Sequence, residues 1–481
     1  MNRRLAAVFS AVLLVVAGCA APVADPSAAS DNSDAAVGGA DPDPDPGPDA
    51  DRSWPDDPPT DRLGWEAGYW YNESIAVDQS DGLNDSEMEA FVARTMARVE
   101  VVRELEFEES VPVEVVSRAE FRNESDASTD PVHGDWNDQV WEALLLVGED
   151  RTIDEVFDEL YGGVVLGYYD PSEDRIVVVS DDSQPTIDRR TLAHELVHAA
   201  QDQQFGLDRS PSTQDAQLAH SGLVEGDARY VDGLYEARCA ADWDCVPRPS
   251  GSGSGGGSVD YPVFITIYTP YSEGPTFVSD LRDRGGWAAV DAAYADRPTS
   301  TEQVLHPNRY PDERPVEVTV EDRSSAAWTR YDTDPAADTV GEASIFATFW
   351  KHRAVDRAGL QRDPGAYSPY NYTAEPSEGW AGDAVVPYRP ASDETYEANP
   401  HERGYVWRTV WDTEADAEQF ERAYVNDTLR RSLNASVAGE DIYRVDDGPF
   451  ADAYQVTREE NTVTVVNAPT VEQLDEVHQR S

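Results

Sequence analysis

Apolar and polar positions along the first third of the chain predict helices mixed with strands. Residues 86–105 carry apolar side chains at helical spacing, and residues 152–163 predict a shorter helix that ends in two glycines. Residues 111–117 predict a strand, and residues 163–181 predict a β-hairpin with a polar turn.

The next segment predicts two consecutive helices. We expect Pro185 and Thr186 to begin a helix that ends at Gly206, and a second helix to cover about 216–237. Residues 250–258, with the sequence SGSGSGGGS, predict a flexible loop.

The pattern changes again in the second half. Residues 259–375 predict a mainly helical region, with Thr299 and Glu302 as a capping box before a helix that Pro307 ends. Residues 376–481 mix alternating strands with one amphipathic helix, which predicts a C-terminal α+β unit. The whole chain is therefore expected to be α+β.

The N-terminus predicts export and a lipid anchor. Residues 1–19 place Arg3 and Arg4 before an apolar run, and the run ends in a Val-Ala-Gly-Cys sequence at Cys19 that resembles a prokaryotic lipobox. This resemblance implies cleavage before Cys19, a lipid on its thiol and a location on the outer face of the cell membrane. An ordinary signal peptide is the alternative.

Residues 20–62 consist mainly of Asp, Pro, Ala, Ser and Gly, and we expect a disordered stalk there. The first folded domain is expected to cover residues 63–249.

The two other cysteines, Cys239 and Cys245, lie close together and predict a local disulfide, with free thiols or a metal pair as alternatives. Six sequons are compatible with glycosylation, at Asn72, Asn84, Asn123, Asn371, Asn426 and Asn434.

The charge balance excludes one class of partner. Asp and Glu number 94 against 37 Lys and Arg, a formal net charge of -57. Phosphate backbones would be repelled, so we expect no nucleic-acid partner. Because the acidic residues are dispersed along the chain, the composition is typical of proteins from extreme halophiles, where molar salt screens the repulsion.

One motif carries chemistry: HELVH, which comprises His194, Glu195 and His198. Residues four apart lie on one helix face, so both histidines can bind one ion. Glu195 points to the neighbouring side, where it can act as a general base on a water at the metal. Zinc suits this donor set. The alternative is a buried helix whose histidines make only structural hydrogen bonds.

A third ligand is predicted on the following helix. Glu225 lies between Gly222 and Gly226, and small residues there would let two helices approach closely enough to share an ion. The alternative is an exposed glutamate that pairs with Arg229 one turn later.

HExxH on one helix and a glutamate on the next resemble the gluzincins, a family of zinc peptidases. HELVHAAQDQQF followed by LVEGDA, with TSTEQVLHPNRY and GEASIFATF later, also resembles prokaryotic exported zincin-like proteins that include haloarchaeal surface lipoproteins. The resemblance implies a zincin-like catalytic domain in which His194, His198 and Glu225 bind zinc and Glu195 is the catalytic base.

The chain departs from the gluzincin pattern at one position. Many gluzincins have an acidic residue four positions after the glutamate ligand, where this chain has Arg229. Asp227 and Asp202 are the alternatives for orienting a histidine. An oxyanion-stabilising group is also needed, and the sequence leaves four candidates open: His220, Tyr230, His306 and Tyr310.

These features predict a lipid-anchored cell-surface zinc metalloprotease that acts on a peptide or protein substrate. A non-catalytic zincin-fold surface protein that binds an envelope component or partner is the main alternative. An open groove beside the hairpin would favour the protease, and a closed site would favour the binding protein. A solute-binding lipoprotein would need two α/β lobes, and the sequence shows no run of βα units.

Overall fold

A computed structural model of the chain describes residues 58, 60–125, 131–161, 167–182, 184–207, 210–249, 259–361, 370–392, 396 and 401–480. The predicted signal peptide with Cys19, most of the predicted stalk and the predicted loop at 250–258 lie outside the described residues. Helices and strands both contribute extensively, which confirms the α+β class.

The elements of the first half follow the predicted order. In chain order they are β1 (Trp65–Glu66), β2 (Tyr69–Trp70), a 3-10 turn (Gln79–Asp81), α1 (Asp85–Arg103), β3 (Val113–Val116), α2 (Arg118–Ser125), α3 (Pro131–Ala143), α4 (Ile153–Tyr161), β4 (Gly167–Asp170), β5 (Arg175–Val179), α5 (Arg189–Phe205) and α6 (Gln214–Ala241).

The hairpin belongs to a three-stranded sheet that lies against the HExxH helix. The strand order is β3-β5-β4, with β3 parallel and β4 antiparallel to β5. One face of the sheet, with Tyr169, Ile176 and Val178, packs into a hydrophobic cluster with α1, α5 and α6. The sheet therefore fixes α5 from one side, and α6 fixes it from another.

The described residues of the second half contain seven α-helices and the strands of a large sheet. In chain order its elements are α7 (Tyr261–Ile267), α8 (Thr269–Gly285), α9 (Trp287–Ala295), α10 (Thr301–Leu305), a 3-10 turn (Pro307–Arg309), β6 (Trp328–Arg330), α11 (Gly341–Lys351), a 3-10 turn (Arg357–Leu360), β7 (Trp380–Pro390), β8 (Gly404–Trp411), α12 (Glu414–Arg422), a π-helical segment (Ala423–Ser432), β9 (Ser436–Gly439), β10 (Ile442–Arg444), β11 (Ala453–Glu459), β12 (Thr462–Ala468) and α13 (Val471–Val477).

Two predicted helix starts were wrong by a few residues. Helix α5 begins at Arg189 and not near Pro185, because the Asp188 side chain caps the first turn. Helix α10 is capped by Ser300, which accepts from the N–H of Gln303, and not by Thr299.

The C-terminal sheet has seven strands in the order β6-β7-β8-β12-β11-β10-β9. It begins with β6, before the predicted boundary at residue 376. One of its faces shares a hydrophobic cluster with α3, α4, α7 and α11. The sheet therefore has a common core with helices from the first half of the chain.

Cys239 and Cys245 form the predicted disulfide at the end of α6. Among the sequon asparagines, Asn84, Asn426 and Asn434 are exposed, while Asn72 and Asn371 are half-buried. The Asn84 side chain caps α1 by accepting from two backbone N–H groups, so it already has a structural role.

Candidate metal centre

The three predicted ligands meet between α5 and α6. His194 Nε2 lies 3.1 Å from His198 Nε2 and 3.2 Å from Glu225 Oε2. His198 Nε2 lies 3.5 Å from the same carboxylate oxygen. The three atoms thus form a compact triangle of nitrogen and oxygen donors.

The triangle fits a tetrahedral metal ion. Ligands at about 2.0–2.2 Å from a tetrahedral zinc lie about 3.3–3.6 Å from one another, close to the 3.1, 3.2 and 3.5 Å found here. Two imidazole nitrogens and one carboxylate also match the ligands that zinc accepts in sites with an open fourth position. The residues present therefore fit the group that the sequence implies.

Electrostatics at the triangle already favour a positive charge. Burial lowers the pKa of His194, but hydrogen bonds to Asp232 and Glu225 outweigh it and raise the value to about 9. Burial raises the pKa of Glu225, but the two histidines outweigh it and lower the value to about 2. A metal cation would meet the same negative surroundings.

His194 is oriented by Asp232, which the sequence analysis missed. Asp232 Oδ2 lies 3.2 Å from His194 Nδ1, while its other oxygen accepts from Arg190 Nε at 2.8 Å. Asp232 follows Glu225 by seven residues, two helical turns, so both face α5. That spacing is the signal that identifies it.

His198 is oriented by Gln201, which was also missed. Gln201 Oε1 lies 2.9 Å from His198 Nδ1, and Gln201 Nε2 donates to Val224 O at 3.0 Å and to Asp227 at 3.3 Å. Asp227 therefore reaches the centre only through Gln201. It also forms a buried ion pair with Arg103 at 2.9 Å.

One carboxylate oxygen of Glu195 accepts a hydrogen bond, and the other has no hydrogen-bond partner. The backbone N–H of Tyr169 on the edge strand β4 donates to Oε2 at 3.0 Å. Oε1 is buried and has no hydrogen-bond partner. Burial is the largest influence on Glu195 and raises its pKa to about 7, which suits a group that must accept a proton near neutral pH.

Asp202 supports the Glu195 side of the centre. It accepts from the hydroxyl of Tyr169 at 3.0 Å and from the N–H of Leu207 at 2.6 Å. Asp202 thereby anchors the residue whose backbone holds Glu195.

Glu225 is not the exposed glutamate of the alternative interpretation. Its side chain is 1% exposed, and its Oε1 accepts from the hydroxyl of Tyr271 at 2.9 Å. Tyr271 comes from α8, so a third helix contributes to the centre.

The four candidate oxyanion groups bond elsewhere. His220 contacts Arg297, and burial, together with this positive charge, lowers the pKa of His220 to about 3. His306 bonds Glu342 at 3.1 Å. Tyr230 accepts from Arg282 at 3.1 Å, and Tyr310 donates to the backbone oxygen of Asp296 at 2.6 Å; neither of these bonds reaches the ligand triangle.

The two glycines beside Glu225 do not face α5, contrary to the prediction. A Cβ at Gly226 would meet the backbone of Gly274 in α8, and one at Gly222 would meet Val304 in α10. The glycines instead allow α6 to approach α8 and α10, because they lie on the faces of α6 directed towards those helices.

The centre is closed to solvent. His194, Glu195 and Glu225 are each 1% exposed, and His198 is fully buried. At Tyr169 the outward N–H of the edge strand is occupied by Glu195. A substrate could reach the ligands only after a rearrangement of the surrounding elements.

Comparisons with known proteins concern a different part of the chain. A family described as a domain of unknown function (DUF8575) matches residues 329–478. This range contains most of the seven-stranded sheet and none of the three ligands. No curated protein and no solved structure gives a significant match. Within the described residues, no helix is both long and apolar enough to cross a bilayer.

Proposed function

We propose that the chain is an exported, lipid-anchored zinc metallopeptidase. The observation that carries this proposal is the convergence of His194, His198 and Glu225 beside a buried glutamate oxygen that has no partner. The disulfide between Cys239 and Cys245 supports export, because such bonds persist in oxidising compartments.

Zinc, when bound, supplies Lewis acidity, which lowers the pKa of water and polarises a carbonyl group. Glu195 accepts the proton at Oε1, while the N–H of Tyr169 keeps Oε2 in place. Asp232 and Gln201 hold the two imidazole rings so that each Nε2 faces the metal position.

The proposal predicts that metal binding and cleavage separate at Glu195. Glu195→Gln should retain about one zinc per chain and lose about 100-fold or more of peptide-cleavage activity, because the general base is gone. His198→Ala should lose both. The measurements are elemental analysis and cleavage of a fluorogenic peptide library in high salt, with and without a chelator.

Glu418→Gln is a matched control, because Glu418 is exposed on α12, far along the chain from the ligands. It should retain both metal and activity. Wild-type protein without stoichiometric zinc would contradict the proposal, and full activity in Glu195→Gln would contradict the role of the base.

A second function is favoured by the closed centre. A non-catalytic surface protein would use the metal to hold α5 and α6 together, which agrees with ligands that are at most 1% exposed. Stoichiometric zinc, a lower melting temperature in His198→Ala and no cleavage of any library peptide would favour this function over the peptidase.

A further inference from the structure

A second group of potential metal ligands lies between α3 and the C-terminal sheet. Oxygen atoms of Glu142, Glu149 and Asp452 all lie within 4.8 Å of one another. Glu142 and Asp452 are each 3% exposed, and Glu149 is half-buried. We call these three residues the carboxylate cluster.

The cluster joins segments that are distant in sequence. Glu142 belongs to α3, Glu149 to the turn after it, and Asp452 precedes β11. The backbone N–H of Glu149 donates to Pro449 O at 2.9 Å, and a Cβ at Gly148 would clash with Pro449. The close backbone approach brings the carboxylates together, so the cluster links the family-matched region to the first half of the chain.

Two buried amide side chains form hydrogen bonds with the cluster. Gln139 Nε2 donates to Glu142, and Asn467 Nδ2 donates to Asp452 at 2.9 Å. The amide oxygens of Gln139 and Asn467, and Glu142 Oε1, are buried without hydrogen-bond partners, although both amide residues are at most 1% exposed. Buried acceptors without donors are costly, at about 1–3 kcal/mol each, and a cation is one partner that such acceptors can take.

A second acidic group in the same chain has a cation among its carboxylates. Glu302, Glu313 and Asp412 also form a three-carboxylate group, and Arg309 Nη1 binds them at 2.5, 2.5 and 3.2 Å. In the part of the chain that the structure describes, no Lys, Arg or His nitrogen forms an ion pair with the carboxylate cluster.

Two guanidinium groups act on the cluster without an ion pair: Arg403 lowers the pKa of Glu149 and Arg444 that of Asp452, against the larger effect of burial. Arg403 pairs with Asp135 at 2.6 Å, and Arg444 donates to Pro469 O at 2.6 Å. Among the described residues, the direct ion pair that Arg309 supplies in the other group therefore has no counterpart in the carboxylate cluster.

We propose that Glu142, Glu149 and Asp452 bind a calcium ion, with the amide oxygens of Gln139 and Asn467 as further ligands. Every donor is oxygen, which suits a hard cation and not zinc. Calcium accepts carboxylates and amide oxygens in variable geometry, whereas magnesium demands near-octahedral geometry and keeps several waters. The ion would clamp α3 to the loop before β11, independently of the proposed peptidase.

The competing explanation is a shared proton. Burial is the largest influence on Glu149 and raises its pKa to about 7, and burial also raises the pKa of Asp452. Two carboxyl groups that share a proton would need no cation, and the experiment must separate the two explanations.

The test uses the full chain, passed over a chelating resin and then titrated with CaCl2 at fixed ZnCl2. Equilibrium dialysis with elemental analysis counts bound calcium, and thermal unfolding follows stability. We expect about one calcium per chain at this site and a melting temperature that rises with calcium, because binding to the native state stabilises it. In Glu149→Gln, the calcium concentration needed for the same rise in melting temperature should be higher by about tenfold or more, because one charged ligand is lost.

Glu313→Gln is the matched control, since it removes a carboxylate from the group that Arg309 already neutralises. It should leave the calcium response unchanged. No calcium-dependent rise in the wild type up to about 10 mM, well above the weakest extracellular sites, would assign the cluster to a shared proton and overturn the proposal. An unchanged response in Glu149→Gln would overturn it as well.

Discussion

At the residue scale, each ligand of the candidate metal centre depends on a second residue that fixes its orientation. His194 is held by Asp232, His198 by Gln201 and Glu225 by the hydroxyl of Tyr271. Such partners commonly tune metal affinity by 10- to 100-fold. Asp232, which orients His194, lies about one turn after Arg229 on α6.

This arrangement predicts a measurable effect of Asp232 on metal affinity. Asp232→Asn should weaken zinc binding by about 10- to 100-fold, because the neutral amide polarises and orients His194 less strongly. Competition with a zinc-binding dye measures the change. Glu236→Gln is the control, because Glu236 lies one turn further along α6 and pairs with Arg189; an equal loss in both variants would contradict the role of Asp232.

The sequence predicted the metal ligands because they follow from one helix period and a short separation. It did not predict Tyr271, since this contact depends on how α8 packs against α6. Gln201 could have been predicted, because it lies about one turn after His198 on the same helix. Asp232 was within reach, because it lies two turns after Glu225 on the same face. The carboxylate cluster could not be predicted from the sequence, because Glu142 and Asp452 are separated by most of the chain.

At the element scale, helix α6 is the part of the fold that fixes the site. It carries Glu225 and Asp232 towards α5, and its glycines face α8 and α10. Local periodicity predicted that this helix exists, and the structure confirms it with a longer range, Gln214–Ala241. The sequence predicted wrongly that Gly222 and Gly226 face α5, because the pattern of one helix does not specify which neighbouring helix packs on each of its faces.

The packing of α6 on α8 predicts opposite effects for two glycines of the same helix. Gly226→Ala should lower the free energy of unfolding by about 1–3 kcal/mol, because its Cβ would meet the backbone of Gly274, which cannot move aside cheaply. Denaturant unfolding, monitored by tryptophan fluorescence, measures the change.

Gly233→Ala is the control. A Cβ at Gly233 meets nothing within 4 Å, so alanine should stabilise the helix by about 0.5–1 kcal/mol. Equal effects of the two substitutions would show that the α6–α8 contact does not limit the side chain at Gly226.

At the scale of the whole molecule, some of the acidic residues are buried and form hydrogen bonds in the interior. Asp215, Asp338 and Asp383 are buried and accept backbone N–H groups from Thr301, Gln214, Val340 and Gly341. These bonds join the starts of α6, α10 and α11 to strand β7. The composition alone indicated a solvated acidic surface, because it cannot distinguish buried carboxylates from exposed ones.

The buried junction predicts that stability falls as the pH rises. Burial is the largest influence on Asp215 and raises its pKa from 3.8 to about 8, with Asp383 and Glu342 adding to the shift. Because the folded-state pKa lies above the unfolded-state value, the folded protein keeps a proton that the unfolded chain has released. The stability from this proton is present at low pH and is lost as the pH rises towards about 8.

Asp215→Asn should remove this dependence, because asparagine imitates the protonated carboxyl group and still accepts from Thr301 at the same oxygen. Between pH 5 and 8 the variant should lose about 2–4 kcal/mol less unfolding free energy than the wild type. Urea unfolding at several pH values measures the difference. Asp312→Asn, at an exposed position, should follow the wild-type pH profile. If the unfolding free energy of Asp215→Asn changed with pH in parallel with that of the wild type, the prediction would be wrong. Asp215 would then be ionised in the folded protein, and another group would set the pH dependence of stability.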